Sequence, residues 1–382
     1  MAKALNAMAA KKRRAPPEKR IVIMSRQSST PSLELAMLHD ELVSRVGEEN
    51  VSYCLTEPET KSRLGFVTGT MRQLDAACRN KVVVADGYSP AVSIPEDMGE
   101  TRVIQIWHAI GAVKKFGYQS LDMPAGRSSE YARVARMHKN YDIVVAAGPG
   151  AVKAYAEAFG YPEEKVVPLG SPAVDFLLRT REEGMSPERR KSLHEALPCL
   201  DEGKRVILYA PTLRKGPGSE GWIDRHLRAL ASCCDAESVR LVFSGHPLDC
   251  DAGETVQEEF PCLSVARGMK TVELLQEADV VVTDYSSVAF EAGLLGKDTC
   301  FYVPDVEQYR ESTGLNVDWV AQGVGLASTD AEELMSHIAG KPDAEAERGF
   351  ESFRSFVADY FAGVDAHGTQ RIADLALRFL ES

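Results

Sequence analysis

The chain has 382 residues, 44% of them hydrophobic, and a formal net charge of −12 at neutral pH. That length exceeds what one hydrophobic core usually serves, so two domains are expected, and the acidic balance argues against general nucleic-acid binding. No apolar run reaches the ~20 residues of a membrane-spanning helix, and the eight cysteines, none in a C-x-x-C pair, read as small core residues of a reducing cytoplasm rather than as a disulfide framework.

The charge is unevenly spread. Residues 1–20 carry Lys3, Lys11, Lys12, Arg13, Arg14, Lys19 and Arg20 against Glu18 alone, a surplus of six that leaves −18 for the rest. "ALNAMAA" precedes its basic cluster, the reverse of secretory order, so no export signal is read. Taken alone, this basic tail reads as a disordered, soluble leader, with contact to anionic lipid headgroups as the alternative.

"RIVIMSRQ" then reads as a first strand running into a polar loop, and "SLELAMLHDELVSRV" as a helix after Pro31. "VSYCLT", "KVVVADGYSP" and "RVIQIWHAIGA" are further strands, the last two ending in polar or Gly-containing loops. "NYDIVVAAGPGAVKAYAEAFGYP" is strand, loop and helix, and "KVVPLGSP" closes this half. Arg179 to Arg205 is charged and Pro-punctuated, a linker plus a surface helix. The alternation restarts with "VILYAPT", "VRLVFSGHP", "CLSVA", "ADVVVTD" and "DTCFYVP", and one or two amphipathic helices end the chain. Two runs of alternating strands and helices imply an α/β fold with two open parallel sheets, in which ligands bind beyond the carboxyl ends of the strands. The expected division is a tail over 1–20 and Rossmann-like domains over 21–177 and 178–382, facing a cleft.

The candidate chemistry sits at those strand ends. In "VVVTDYSSVAFEAGLLGK" a helix opens directly after a strand, where free backbone N–H groups favour an anion; Ser286 and Ser287 add hydroxyls, Asp284 holds the turn, and Ala289, Ala292 and Gly293 let the helix pack on its strand. A serine that merely caps the helix is the competing reading. His108, in "IQIWHAIGAVKKFG", follows a strand and is placed to act as a near-neutral base, with Lys114 and Lys115 close behind. His246 repeats the arrangement in "LVFSGHPLD", and Arg214 and Lys215 follow "LYAPT", arginine being a natural phosphate clamp. Asp86, in "ADGYSP", reads as a residue orienting the acceptor or His108, or as a simple turn. "DCD" at Asp249 to Asp251 reads as a solvated turn rather than a metal pair, and the "GPG" and "GVG" stretches lack the full dinucleotide fingerprint.

Together, "IQIWHAIGAVKKFG", "AFGYPEEKVVPLGSPAVDFL", "VILYAPTLRKG", "GHP" and "VVTDYSSVAFEAGLLGK", with "SRQSSTPSLELAMLHDEL", resemble the CDP-glycerol glycerophosphotransferase family of teichoic-acid enzymes, in the family's order from about Arg20 to Tyr309. The resemblance implies the glycosyltransferase type B (GT-B) fold and metal-independent transfer of glycerol phosphate from CDP-glycerol to a hydroxyl, releasing CMP, with no cofactor. It implies a lipid-linked glycan or polyol-phosphate acceptor and a cytoplasmic protein attached peripherally to the inner membrane face, where Lys11 to Arg14 become a membrane contact. It casts His108 as the base, His246 as a contact to the donor diphosphate, and Thr283, Ser286 and Ser287 as the donor-phosphate loop. Arg26, Lys114 and Lys115 fall on the acceptor side. Glu291 stands where the family often has Asp, Leu213 where it has an aromatic, Lys215 where it has an acid, and Ala-Ile-Gly follows Trp-His in place of Gly-Thr-Pro. A CDP-ribitol transferase, a UDP-sugar transferase or epimerase of the same fold, and a non-catalytic donor-binding scaffold are the alternatives. Monomer and oligomer are both compatible with the sequence.

Overall fold

The structure, a computed structural model, describes residues 2–13, 15–57, 63–214, 219–246 and 251–382. Arg14, Lys215, Asp249 and Cys250, named above, lie outside the described residues.

The chain forms two compact units, one of residues 1–176, 311–314 and 360–382, the other of 177–310 and 315–359. Residues 360–382 therefore belong to the first unit, which corrects the expectation that everything after 177 serves the second.

The first unit carries a six-stranded sheet of β1 (Glu18–Ser25), β2 (Val51–Leu55), β3 (Asn80–Ala85), β4 (Arg102–Gln105), β5 (Ile143–Ala146) and β6 (Val166–Pro168), in the order β2-β1-β3-β4-β5-β6. The second carries β7 (Arg205–Tyr209), β8 (Val239–Phe243), β9 (Leu263–Val265), β10 (Val280–Thr283), β11 (Asp298–Tyr302) and β12 (Leu326–Ser328), in the order β12-β11-β10-β7-β8-β9. Every pairing is parallel. Parallel strands are covered on both faces, which is why Val82 to Val84 and Val280 to Val282 are fully buried and read as unbroken apolar runs. Each sheet reverses its winding once, between β1 and β3 and between β7 and β10. The crevice beyond the carboxyl ends at such a reversal is where α/β sheets take ligands.

The C-terminal helix Gly368–Glu381 buries Ile372, Ala373 and Ala376 in the same core as Ile21 and Val82 of the first sheet and Leu38 of the helix Leu33–Val46. Asp175, fully buried, fixes its start by accepting hydrogen bonds from the backbone N–H of Gly368 (2.8 Å) and Thr369 (2.7 Å) and from the Thr369 hydroxyl (2.6 Å). The "GPG" loop is a packing device: a Cβ on Gly150 would stand 2.4 Å from the Tyr360 ring.

The N-terminus is not a disordered leader. Ala2–Lys12 is a helix whose Leu5 and Ala9 are buried against Leu74, Cys78 and Ile94. Lys12 pairs with Asp75 and Arg13 with Asp97, and Glu18 to Arg20 already belong to β1.

Candidate functional site

In the first unit the winding reversal brings the ends of β1 and β3 together. Ser25, the last residue of β1, donates its hydroxyl to Asp86 Oδ2 (2.7 Å), the residue after β3. Asp86 is 5% exposed and its other oxygen, Oδ1, is buried without a hydrogen-bond partner. Burial pushes this carboxyl up to about 6, against the lowering effect of the Ser25 bond.

His108 follows β4, the next strand over. Its Nδ1 lies 3.1 Å from the Asp86 carbonyl oxygen, with the Gln27 side-chain amide at 3.4 Å. A carbonyl only accepts, so a hydrogen bond here requires the proton on Nδ1, the tautomer in which Nε2 keeps a lone pair. The ring is open to solvent on one side and crowded by protein on the other. That desolvation lowers its pKa below the ordinary histidine value, outweighing the Asp86 bond that raises it.

The preceding residue aims the ring. Trp107 adopts a left-handed φ of 51°, which costs a non-glycine residue on the order of 1–3 kcal/mol. It is held there by its N–H bond to Gln105 Oε1 (2.9 Å), by stacking on Phe116 (4.9 Å) and by the edge of Phe159 (5.2 Å).

Asp86, Trp107, His108, Gln27 and Glu34 line one cavity of about 280 Å³, which also touches Ser32 and Ser171 at the starts of the helices Leu33–Val46 and Pro172–Glu183. A neutral base, two carboxyls and several hydrogen-bonding side chains suit it to bind and deprotonate a hydroxyl. Arg26, Lys114 and Lys115 do not line it. Arg26 stands just past β1, with its guanidinium 5.2 Å over the Phe66 ring and its pKa lowered by burial. Lys115 is exposed and its backbone N–H bonds Gly314.

In the second unit the reversal joins the ends of β7 and β10. Thr283 is fully buried and donates its hydroxyl to the Ala210 carbonyl (2.7 Å), so it ties the two loops together rather than facing a ligand. Asp284 Oδ1 accepts the Thr212 N–H (2.8 Å), and its Oδ2 lies 2.9 Å from Arg214 Nη1 in ionic rather than aligned hydrogen-bond geometry.

Arg214 is spent on the protein. Its Nε and Nη2 fork onto Asp305 (2.8 and 3.1 Å), Nη1 donates to the Thr212 carbonyl (2.8 Å), and the guanidinium stacks 4.1 Å from the Trp222 ring. Burial alone would lower its pKa, but Asp284 and Asp305 raise it further. In place of the expected phosphate clamp, the side chain is a tie between three strand-end loops.

The open groups here are the serines. Both are partly exposed; Ser286 Oγ accepts the Val288 N–H at 3.3 Å, and Ser287, at the cap of Val288–Leu294, makes no capping bond with its side chain. Glu291 is half-buried on the same short helix. A Cβ on Gly293 would approach Val357 within 2.6 Å, so the cleared face meets the helix Ala344–Tyr360 as well as the sheet. His246 is exposed beyond the end of β8.

Asp305 and Glu34 escaped the sequence reading. Asp305 carried a usable signal, the first polar residue beyond β11, after Val303 and Pro304; Glu34 looked like an ordinary first-turn acid of a helix. Among the described residues no group of three or more His, Cys, Asp or Glu side chains could hold a metal ion, and no helix is long and apolar enough to cross a membrane.

Residues 7–378 match the family described as CDP-glycerol:poly(glycerophosphate) glycerophosphotransferase. The chain is 32% identical to the teichoic acid ribitol-phosphate primase of Bacillus spizizenii, over 80% of this chain and 77% of that one. It is 25% identical to the teichoic acid glycerol-phosphate primase of Bacillus subtilis, over 80% and 76%. It is 30% identical to the B. spizizenii teichoic acid poly(ribitol-phosphate) polymerase, of which it spans 46%. A solved variant of the wall teichoic acid polymerase TagF superposes with a TM-score of 0.70 at 19% identity, over 99% of this chain and 94% of that one. UDP-GlcNAc 2-epimerase from Neisseria meningitidis gives 0.62 at 14%, over 94% and 100%. These two likenesses are of fold, the glycosyltransferase type B class.

Proposed function

Because the chain belongs to the CDP-glycerol:poly(glycerophosphate) glycerophosphotransferase family, we propose that it transfers glycerol phosphate from CDP-glycerol to a hydroxyl of a lipid-linked glycan or polyol-phosphate acceptor, releasing CMP. The acceptor oxygen attacks the phosphorus that carries the glycerol, the bond from that phosphorus to the CMP oxygen breaks, and CMP leaves with the electron pair. His108 Nε2 takes the hydroxyl proton. Ser286, Ser287 and His246 hold the diphosphate oxygens, and no metal is used. Asp86 positions the base through its backbone carbonyl.

The observation that carries this reading is the position of His108, with its Nδ1 3.1 Å from the Asp86 carbonyl oxygen on the wall of the first unit's cavity. A Nδ1–H fixed on a carbonyl leaves Nε2 as an unprotonated base on the wall of a hydroxyl-lined cavity. The test is CMP release from CDP-glycerol with a prenyl-diphosphate disaccharide in buffer containing EDTA. Release that depends on His108 supports the reading; none, with either a bare or a primed acceptor, overturns it.

A second donor is favoured by a specific observation: the 32%-identical relative is a ribitol-phosphate primase, whereas the glycerol-phosphate primase of B. subtilis is 25% identical. CDP-ribitol against CDP-glycerol in direct competition decides between them. Membrane attachment is also proposed. Lys11 is exposed, while Lys12 and Arg13 are engaged with Asp75 and Asp97, so any headgroup contact is peripheral and shared with the fold.

A further inference from the structure

We propose that Glu34 is a specificity-determining residue: with Asp86 it makes the first unit's cavity a charge filter that admits an uncharged glycosyl or polyol end and disfavours one that brings a phosphodiester with it. This rests on the transferase reading above and concerns the acceptor side of the same site.

Glu34 and Asp86 line the cavity with His108, and among the described residues that line it none is a lysine or arginine. Asp86 is nine-tenths buried, and its Oδ1 has no hydrogen-bond partner, so one strong acceptor is unspent at the wall. The other polar lining groups, Gln27, Ser32 and Ser171, are uncharged. Carboxyls, an amide and hydroxyls beside a tryptophan are the equipment for reading hydroxyl groups on a sugar or polyol.

Two helix starts also meet the cavity, and helix N-termini attract anions. Their pull is smaller than the opposing charge. Each amounts to about half a unit charge at most. Ser32 already accepts from Leu35 N–H (3.4 Å) and Ser171 from Val174 N–H (3.2 Å). Glu34 itself sits in the first turn of one of them. Two carboxyls therefore dominate.

In an acceptor already capped with glycerol phosphate, the attacking hydroxyl lies three carbons, roughly 5 Å, from a phosphodiester. With the hydroxyl at His108, that anion falls within reach of Glu34 and Asp86. A unit charge about 4 Å from the phosphate in a water-like dielectric is worth about a fivefold change in affinity.

The test compares two acceptors on the full chain: an uncharged alkyl disaccharide glycoside, and the same glycoside capped with one glycerol phosphate. Both are assayed with CDP-glycerol and with CDP-ribitol, reading kcat/KM by CMP release. The wild type is expected to favour the uncharged acceptor at least about fivefold, and Glu34→Gln to lower that ratio about fivefold through KM for the anionic acceptor. The ratio is the quantity read, whatever the substitution does to absolute rates. Raising salt on the wild-type protein narrows the same ratio by screening, a readout that needs no variant. A wild-type ratio at or below one, or a ratio that neither Glu34→Gln nor salt moves, overturns the proposal. Absence of CMP release with both acceptors and both donors overturns the transferase reading itself.

Discussion

Replacing His108 by alanine removes the proposed base and little else. Its ring is open on one side, and its one close hydrogen bond is to the Asp86 carbonyl at 3.1 Å. Loss of a general base costs about 10²- to 10⁴-fold in rate, or about 3–5 kcal/mol of transition-state stabilisation. The Asp86 bond is worth about 1 kcal/mol net, enough to bias the tautomer about fivefold toward an unprotonated Nε2. The base must be neutral to work, so kcat/KM in the wild type rises with pH through the His108 pKa. That pKa is lowered by desolvation, so the acid limb has its midpoint below the usual histidine value of about 6.5. CMP release measured from pH 5 to 8.5 is expected to show this limb in the wild type and to lose it in His108→Ala, with the melting temperature within about 2 °C, as for a substitution near the surface. A His108→Ala protein that keeps a tenth of the activity, or an acid limb unmoved by the substitution, would refute the assignment of the base.

Asp86→Asn tests the price of a buried acid. The folded protein binds this proton more tightly than the unfolded chain, because the carboxyl is pushed up to about 6. Native stability from this group is therefore full below about pH 4 and is lost as pH rises through 6, a span worth about 3 kcal/mol. Urea unfolding at pH 7 is expected to find Asp86→Asn the more stable protein, with the gap closing at pH 4; a less stable variant at pH 7 contradicts the burial argument. Replacing Ser286 and Ser287 together by alanine is expected to raise KM for the CDP-polyol about tenfold without moving the melting temperature, and an unchanged KM would remove both from the donor site. Asp175→Ala strands three buried donors at about 1–3 kcal/mol each, not fully additive. The expected cost is about 3–5 kcal/mol, or about 10 °C in a unit of this size, and calorimetry showing under 3 °C would mean the C-terminal helix is held by its apolar face alone.

The α/β alternation was legible because parallel strands are buried on both faces and announce themselves as apolar runs: "KVVVA" and "DVVVTD" became β3 and β10. His108 was legible for the same reason, as a polar residue at the end of such a run. What local pattern could not carry was partnership across the chain. Arg214 looked like a free cation because Asp305, which holds it, is 91 residues away. The last helix showed its periodicity, but the sheet it covers is selected by Asp175, 194 residues from Thr369. The N-terminal helix was missed because, among its described residues, Leu5 and Ala9 are buried with Met8 packed beside them on an alanine- and lysine-rich segment, too little amphipathicity to distinguish a docked helix from a solvated tail.

One device recurs at both winding reversals and explains why they differ chemically. In each sheet the residue after the second strand of the reversal is an aspartate, tied to the carboxyl end of the first strand or the loop beyond it: Asp86 to Ser25 across 61 residues, Asp284 to Thr212 across 72. Each tie uses one carboxyl oxygen and closes the crevice floor. The other oxygen sets the character of the site. At Asp284 it faces Arg214, so the charge is answered inside the protein and the serines just beyond can meet a diphosphate without a carboxylate repelling it. At Asp86 it has no hydrogen-bond partner, and the residue lines a cavity with no lysine or arginine among its described lining residues, so the field favours a hydroxyl and disfavours an anion. On the proposed function, the same strand-end aspartate serves the donor side in one unit and the acceptor side in the other, according to whether an arginine answers it.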